Sequence, residues 1–166
     1  MTTVKVVTTE AAKRLQKAIV DIEKTSAKVG WFKSAVYPDG TPVAQVATIN
    51  EYGAPARNIP PRPFMRPTIT QRETEWETLA ANESRKVMAG AQTVNGMFTV
   101  ISLKAAAQVK ITIKNIHSPA LAESTVRARL ARRKNKTITA TLRKPLVDTG
   151  YMLSTLSSAV FEGVTE

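Results

Sequence analysis

Few side chains in this sequence could carry acid–base or nucleophilic chemistry, and they are scattered. The chain has no cysteine and one histidine, His117, which excludes thiolate metal sites, cysteine nucleophiles and imidazole-rich metal centres. His117 follows an isoleucine-rich helical pattern, where an imidazolium suits the negative end of the helix dipole. Glu73 and Glu77 fit the first turns of a helix, and Asp148 fits an N-cap. We therefore predict a protein that is not an enzyme and holds neither metal nor cofactor.

Basic residues are concentrated in one part of the chain. The stretch 104–147 contains eleven Lys and Arg residues and one acid, Glu123, so it carries +10, against +11 for the whole chain. Its densest part is a basic cluster of six residues: Arg127, Arg129, Arg132, Arg133, Lys134 and Lys136. Such a cluster binds phosphates without reading base sequence, or docks on an acidic protein surface. The sequence leaves both partners open, although no aromatic residue lies within the cluster to stack on single strands.

Length and composition are those of a folded chain with a real core. The 166 residues are 43% apolar, enough for one domain. No run of 18 apolar residues occurs, and the first residues lack the apolar core of a signal peptide. We therefore expect a soluble protein made in the cytoplasm, with no membrane partner.

Helical spacing and turn residues place the first elements. Apolar residues between 9 and 25 recur at helical spacing, which predicts an amphipathic helix, and 27–32 is typical of a strand. Thr41 and Pro42 predict the N-cap and first residue of a second helix. Gly53 is expected to end that helix in a left-handed conformation.

A proline-rich segment, 54–67, follows that helix and holds five of the nine prolines. Proline removes N–H donors and disfavours helix in the preceding residue, so we predict an extended, stiff loop or arm. Its apolar residues Ile59, Phe64 and Met65 either pack onto the parent domain or contact another subunit.

Two long helical patterns come next. Thr70 and Glu73 form a capping box that predicts a helix reaching about Ala89. The pair 95–96 (Asn-Gly) interrupts the pattern, and 97–116 then favours a helix by its length, although 109–113 also alternates as a strand does.

The last third predicts shorter elements. A helix begins near Glu123 and turns its arginines outward, and the alternation over 137–142 predicts a short strand or an extended segment. The pair 148–149 (Asp-Thr) predicts the cap of a helix over 151–156, and 157–162 predicts a strand. The sum is a single α+β domain over 1–166.

Five segments, in order along the chain, carry a resemblance to a known family. They are Val-Gly-Trp-Phe at 29–32, Tyr-Pro-Asp-Gly-Thr-Pro-Val-Ala at 37–44, Ile-Asn-Glu-Tyr-Gly at 49–53, Ile-Pro-Pro-Arg-Pro-Phe-Met-Arg-Pro at 59–67, and Lys-Pro-Leu-Val-Asp-Thr-Gly-Tyr-Met-Leu-Ser at 144–154. Together they resemble the tail-completion, or head–tail joining, proteins of lambda-like and Mu-like tailed bacteriophages. Proline and glycine punctuation is common, but five such motifs in the same order are specific.

The resemblance implies a structural virion protein without catalytic activity. Such proteins form an oligomeric ring, of six or twelve subunits, in the neck between the portal of the filled head and the tail tube. The implied partners are other copies of the chain and the neighbouring neck, portal-adaptor, tail-tube or terminator proteins. The implied location is the virion, with assembly in the host cytoplasm.

The resemblance also implies roles for individual residues. Helices would pack against a small antiparallel sheet that includes 29–32 and 158–162. Arg62 and Phe64 would belong to a rigid arm whose phenyl ring anchors in a pocket, and 148–150 would cap the last helix. A prestiffened arm loses little entropy on docking, which suits a ring interface. The candidate interface residues are Ile59, Arg62, Phe64, Met65 and Arg66.

The basic segment 127–144 is where this chain departs from the family pattern. Our hypothesis is that the basic stretch faces DNA in the lumen of the ring or the acidic rim of a neighbouring ring. In a ring every basic residue is repeated in each subunit, so weak contacts sum to avidity. The alternative function is a DNA-binding accessory protein that uses the basic cluster.

Overall fold

The computed structural model describes residues 9–132 and 140–163. Those residues form six α-helices, two short 3-10 helices and one two-stranded sheet. The strands β1 (Thr25–Gly30) and β2 (Ser157–Glu162) pair antiparallel. The predicted α+β class, helices packed with a small antiparallel sheet, is confirmed.

The helices follow the predicted order. They are α1 (Glu10–Lys24), α2 (Val43–Tyr52), α3 (Met65–Met88), α4 (Val94–Asn115), α5 (Glu123–Ala131) and α6 (Tyr151–Thr155), with 3-10 helices at Pro55–Arg57 and Ala140–Arg143. The strand predicted at 157–162 is confirmed, and the one predicted at 27–32 lies two residues earlier. The strand predicted at 137–142 is wrong for 140–142, which are 3-10 helical; residues 137–139 lie outside the described ranges.

Internal contacts divide the chain into two compact units. Unit 1 consists of Met1–Lys28, Thr74–Leu103 and Ser158–Glu166, and unit 2 consists of Val29–Glu73 and Lys104–Ser157. The prediction of one domain over 1–166 stays a prediction.

Unit 1 has a small apolar cluster built on helix ends. Ala18 of α1 packs with Val87, Val94 and Met97. Thr9 caps α1, since its hydroxyl accepts the Ala12 N–H at 3.2 Å. Ala18 is the only buried residue of α1, so the apolar stripe that predicted this helix is mostly uncovered.

Unit 2 has the larger core. Its buried members are Val43, Ala47, Phe64, Val109, Ile113, Met152 and Leu156. The Trp31 ring meets the Phe64 ring edge-on, with centroids 5.7 Å apart, and the Trp31 indole N–H donates to the Met152 carbonyl at 2.8 Å. The indole therefore gains a polar partner while its ring fills the core.

Helix α2 begins one residue later than predicted. Pro42, not Thr41, is its N-cap, because the Thr41 N–H is held by the Asp39 carboxylate at 3.0 Å. Gly53 ends the helix with a positive φ of +78°, as predicted, but its ψ of 176° lies outside the left-handed helical region, so the predicted left-handed conformation is wrong. A Cβ there would lie 2.9 Å from the Ile59 carbonyl oxygen, so this glycine allows the proline-rich segment to fold back over the helix end.

Helix α4 confirms the helical interpretation of 97–116 and corrects its start. The Asn-Gly pair at 95–96 lies in its first turn, where the Thr93 hydroxyl accepts the Gly96 N–H at 3.1 Å. Within the described residues, α4 is the one helix long and apolar enough to cross a membrane. A core helix meets the same criterion, and Val109 and Ile113 of α4 are buried in the core of unit 2.

Candidate functional site

The proline-rich segment is partly helical. Pro55–Arg57 form a 3-10 helix and residues 65–67 belong to α3, so the prediction of an extended loop throughout 54–67 is wrong at these positions. The Ala54 and Ile59 backbones pair across the 3-10 turn, and the Arg62 N–H donates to the Asn50 carbonyl at 2.6 Å. The segment is thereby fastened along the end of α2.

Glu51, at the end of α2, caps the start of α3. Its carboxylate accepts the backbone N–H groups of Phe64 at 2.7 Å, Met65 at 2.9 Å and Arg66 at 3.2 Å. The Arg66 side chain adds an Nε–H···O bond to the same carboxylate at 3.0 Å, and its guanidinium lies over the Tyr52 ring. Pro67 has no N–H, so every unsatisfied donor of the first turn is accounted for.

This cap corrects the predicted helix start. The Thr70–Glu73 capping box expected to open α3 lies inside it, because the helix begins five residues earlier, at Met65. Glu73 and Glu77 consequently fall beyond its second turn, and their interpretation as first-turn acids is wrong. The negative charge that favours the N-terminal end of α3 comes instead from Glu51 of α2.

The stability of the protein is expected to depend on the ionisation of Glu51. Burial acts to raise the pKa of Glu51, but the N–H groups of Phe64 and Met65 and the Arg66 side chain outweigh it and hold that pKa below its ordinary value of 4.5. A carboxyl group whose pKa is lower in the folded chain than in the unfolded chain stabilises the fold at pH values above its unfolded pKa. This stabilisation is lost as the pH falls through the pKa of the folded state.

We therefore expect the difference in unfolding free energy between the wild type and Glu51→Gln to be largest near pH 7 and to shrink as pH falls below about 4.5. Urea denaturation at a series of pH values measures it. A difference that is constant from pH 7 to pH 3 would contradict the cap.

Two of the candidate interface residues lie inside the chain. Phe64 is 1% exposed and Arg62 is 5% exposed. The Arg62 guanidinium donates to the carbonyls of Pro119 and Ala120, both at 2.8 Å. Of the two predicted alternatives, Phe64 packs onto its parent domain, so an interface role for its side chain is wrong. Arg62 lines a cleft, so its interface role stays a prediction. Ile59 and Met65 are half-buried and Arg66 is exposed, so their interface role stays a prediction.

One member of the basic cluster, Arg129, is a buried structural residue. It is 8% exposed, and its Nη1 donates to the carbonyls of Leu142 at 3.2 Å, Lys144 at 2.8 Å and Val147 at 3.3 Å. The prediction that Arg129 points outward is wrong, because its guanidinium binds the backbone that leads into α6. Its contact with DNA or an acidic partner stays a prediction.

Loss of that guanidinium is expected to destabilise the fold. Arg129→Gln leaves buried carbonyls unsatisfied, so we expect the free energy of unfolding to fall by about 2 kcal/mol. The matched control is Arg127→Gln on the same helix, because Arg127 is exposed, and it should change stability by less than about 0.5 kcal/mol. Urea denaturation compares them; equal stability of both variants would contradict the structural role.

Asp148 balances charge in this region rather than capping α6. Its carboxylate accepts from Arg132 Nη2 at 2.9 Å and lies 3.6 Å from Arg129 Nε. Gly150 is the N-cap of α6, and the Thr149 hydroxyl accepts the Tyr151 N–H at 3.2 Å. The N-cap predicted at 148–149 is therefore wrong for both residues, because the cap position is Gly150.

The rest of the basic cluster divides into exposed and undescribed residues. Arg127 is exposed, and Arg132 is exposed but paired with Asp148. Arg133, Lys134 and Lys136 lie outside the described residues. The described part of the cluster is therefore less basic toward solvent than its sequence predicts.

A cleft of about 990 Å³ opens in unit 2 between the proline-rich segment and the turn before α6. Its lining includes Tyr37, Asn50, Ile59, Arg62, Arg132 and Tyr151. The Tyr37 and Tyr151 rings lie 5.2 Å apart, and the Tyr151 hydroxyl donates to the Val36 carbonyl at 2.7 Å. Burial and the nearby Asp148 raise the pKa of Tyr37 above its ordinary value, so its phenol stays neutral at physiological pH.

The side chains considered for chemistry remain apart. His117 is exposed, two residues beyond the end of α4, and Asp148 is bound to arginines. Among residues 9–132 and 140–163, no group of three or more His, Cys, Asp or Glu side chains could hold a metal ion. The charged groups that the structure does bring together beside the cleft, Arg62, Arg129 and Arg132, bind backbone carbonyls or Asp148.

Comparison of the chain with protein-family models, curated proteins and solved structures finds no match.

Proposed function

We propose that this chain is a structural virion protein of a tailed-bacteriophage neck, which forms a ring that completes the tail and joins it to the DNA-filled head. The observation that carries the proposal is that the five segments resembling that family pack against one another in one compact unit. All five lie in unit 2.

The contacts among these segments are direct. Glu51, from the third segment, binds the backbone of Phe64 and Met65 in the fourth. Trp31, from the first, stacks edge-on against Phe64 and donates to Met152 in the fifth. Tyr37, from the second, packs its ring on Tyr151 in the fifth. Motif residues that contact one another in this way determine how unit 2 folds. This role in folding supports the proposal of a structural protein.

The use made of buried charge supports the same proposal. Glu51, Arg62 and Arg129 are all buried in unit 2, and each binds backbone groups of a distant segment. Arg62 and Arg129 also line the cleft, where backbone carbonyls hold their guanidinium groups. This use of charge to connect distant segments of the chain is typical of a structural role.

Among the candidate interface residues, Ile59 lies at the cleft edge and Arg66 is exposed, so both remain available to a partner. We propose these as the contacts with the next subunit or the next neck protein. The DNA-binding alternative is the weaker one, because Arg129 is buried and Arg132 is paired with Asp148.

Gold-labelled antibody against the chain, applied to purified virions of the phage that encodes it, tests the proposal. We expect label at the junction between head and tail, and none on the capsid faces. Virions that lack the chain, or label confined to another position, would contradict it.

A further inference from the structure

Arg62 is a buried cation with no counter-ion among the described residues. It is 5% exposed, and its Nε and Nη2 groups donate to the carbonyls of Pro119 and Ala120, both at 2.8 Å. Its Nη1 has no partner in the part of the chain that the structure describes. Burial lowers the pKa of Arg62, and no described acidic side chain counters this shift. Because a buried charge is costly unless it is paired, Arg62 marks a position that an anion would stabilise.

Arg62 differs in this respect from the other arginines of the cleft. Three arginines and two aspartates line it. Asp148 pairs with Arg132 at 2.9 Å and lies 3.6 Å from Arg129, whereas Asp39 accepts a backbone N–H of its own turn. One positive charge, that of Arg62, is therefore left uncompensated in the cleft.

Much of the remaining lining of the cleft is apolar. Its larger aliphatic and aromatic residues include Ile59, Leu121, Leu146, Met152, Tyr37 and Tyr151. The volume of about 990 Å³ exceeds what one side chain fills and lies at the upper end of the range for ligand sites. A matching occupant therefore brings several apolar groups for the walls and one anionic group for Arg62.

The chemistry of the cleft favours a protein carboxylate over the phosphates of DNA. A guanidinium that is almost wholly buried is accessible to a small group on a flexible stem, whereas a duplex presents its phosphates along a stiff backbone. Asp39 and Asp148 line the same cleft, and they repel a polyanion more than a single carboxylate. The apolar walls favour the side chains that flank an Asp or Glu in a peptide over a sugar–phosphate chain.

We propose that this cleft is a docking site for an acidic segment of a partner protein. One Asp or Glu of that segment accepts from Arg62 Nη1, and its apolar neighbours pack on the cleft walls. The guanidinium has already lost most of its hydration and is held by two carbonyls, so binding costs it little further desolvation or conformational entropy. The proposal holds whether or not the partner belongs to a phage neck, and the purified chain tests it separately.

Random dodecapeptides displayed on filamentous phage, selected on the purified full chain, supply the probe. Selection at about 0.5 M NaCl screens the exposed basic residues, so it favours peptides that reach a buried cation. We expect the selected peptides to share one Asp or Glu flanked by apolar residues. Fluorescence anisotropy of a synthetic selected peptide should show at least about 10-fold weaker binding when that acid is replaced by its amide. Selected peptides without a shared acid, or an amide form that binds as tightly, would overturn the proposal.

The Arg62→Gln variant tests which cation the acid meets. It should bind the acidic peptide at least about 10-fold more weakly than the wild type, and it should bind the acidic and amide peptides within about 3-fold of each other. The matched control is Arg57→Gln, because Arg57 is an exposed arginine of the same segment outside the cleft lining. This control should keep the wild-type affinity within about 2-fold. A preference for the acidic peptide that is unchanged in Arg62→Gln would place the acid elsewhere and overturn the proposal.

NMR of the wild-type chain gives an independent answer if Arg62→Gln does not fold. At equal saturation, the Arg62 Nε–H signal should shift further with the acidic peptide than with the amide peptide. The ring signals of Tyr37 and Tyr151 should shift with both peptides, since both rings line the cleft. An Arg62 signal that stays in place when the acidic peptide is bound would contradict the proposed contact.

Discussion

Phe64→Ala is expected to lower the free energy of unfolding by about 3–4 kcal/mol, because truncating a fully buried phenyl ring leaves a cavity as well as losing its transfer free energy. The ring is 1% exposed and meets Trp31 edge-on in the core of unit 2. Urea denaturation followed by tryptophan fluorescence measures the loss.

The matched control is Ile69→Ala, a truncation five residues along the chain at a side chain that is 48% exposed. It should cost less than about 1 kcal/mol. A Phe64→Ala variant that unfolds like the wild type but no longer associates would restore the interpretation of Phe64 as an anchor for another subunit.

Glu51→Ala is expected to cost about 3–4 kcal/mol. The substitution leaves the N–H groups of Phe64, Met65 and Arg66 without their acceptor and separates the start of α3 from the end of α2. Each bond to a charged acceptor contributes roughly 1.5–3 kcal/mol, and the three share one carboxylate, so the sum is not additive.

Glu73→Ala is the control for this substitution, because Glu73 is an exposed acid on α3. It should change stability by less than about 0.5 kcal/mol. If Glu51→Ala and Glu73→Ala unfolded at the same urea concentration, the carboxylate of Glu51 would not be what holds the two helices together.

Local patterns were enough to predict most elements of the fold. The apolar period of α1, the positive φ of Gly53 and the strand at 157–162 are each encoded by residues within a few positions. Such features depend on backbone sterics and on neighbours along one face, which a single sequence displays.

The errors arose where a partner lies far along the chain. Glu51 caps a helix that begins fourteen residues later, and Arg129 binds carbonyls thirteen to eighteen residues away. The sequence pattern predicts the same exposed position for Arg129 as for Arg127, because both belong to one run of basic residues. Only the packed chain distinguishes a cation that holds backbone from one that meets solvent.

The division of charge has a consequence for assembly. Unit 2 carries the whole +11, and its net charge is the feature by which it would attract an anionic neighbour. Unit 1 has no net charge. Charge alone would therefore direct an anionic neighbour to unit 2.

Electron microscopy of lysates from the encoding phage with a stop codon in this gene tests the proposed function most directly. The account predicts DNA-filled heads lying beside separate tails, with joined virions restored when the wild-type gene is supplied from a plasmid. Intact virions in normal numbers without the chain would contradict a role in the neck.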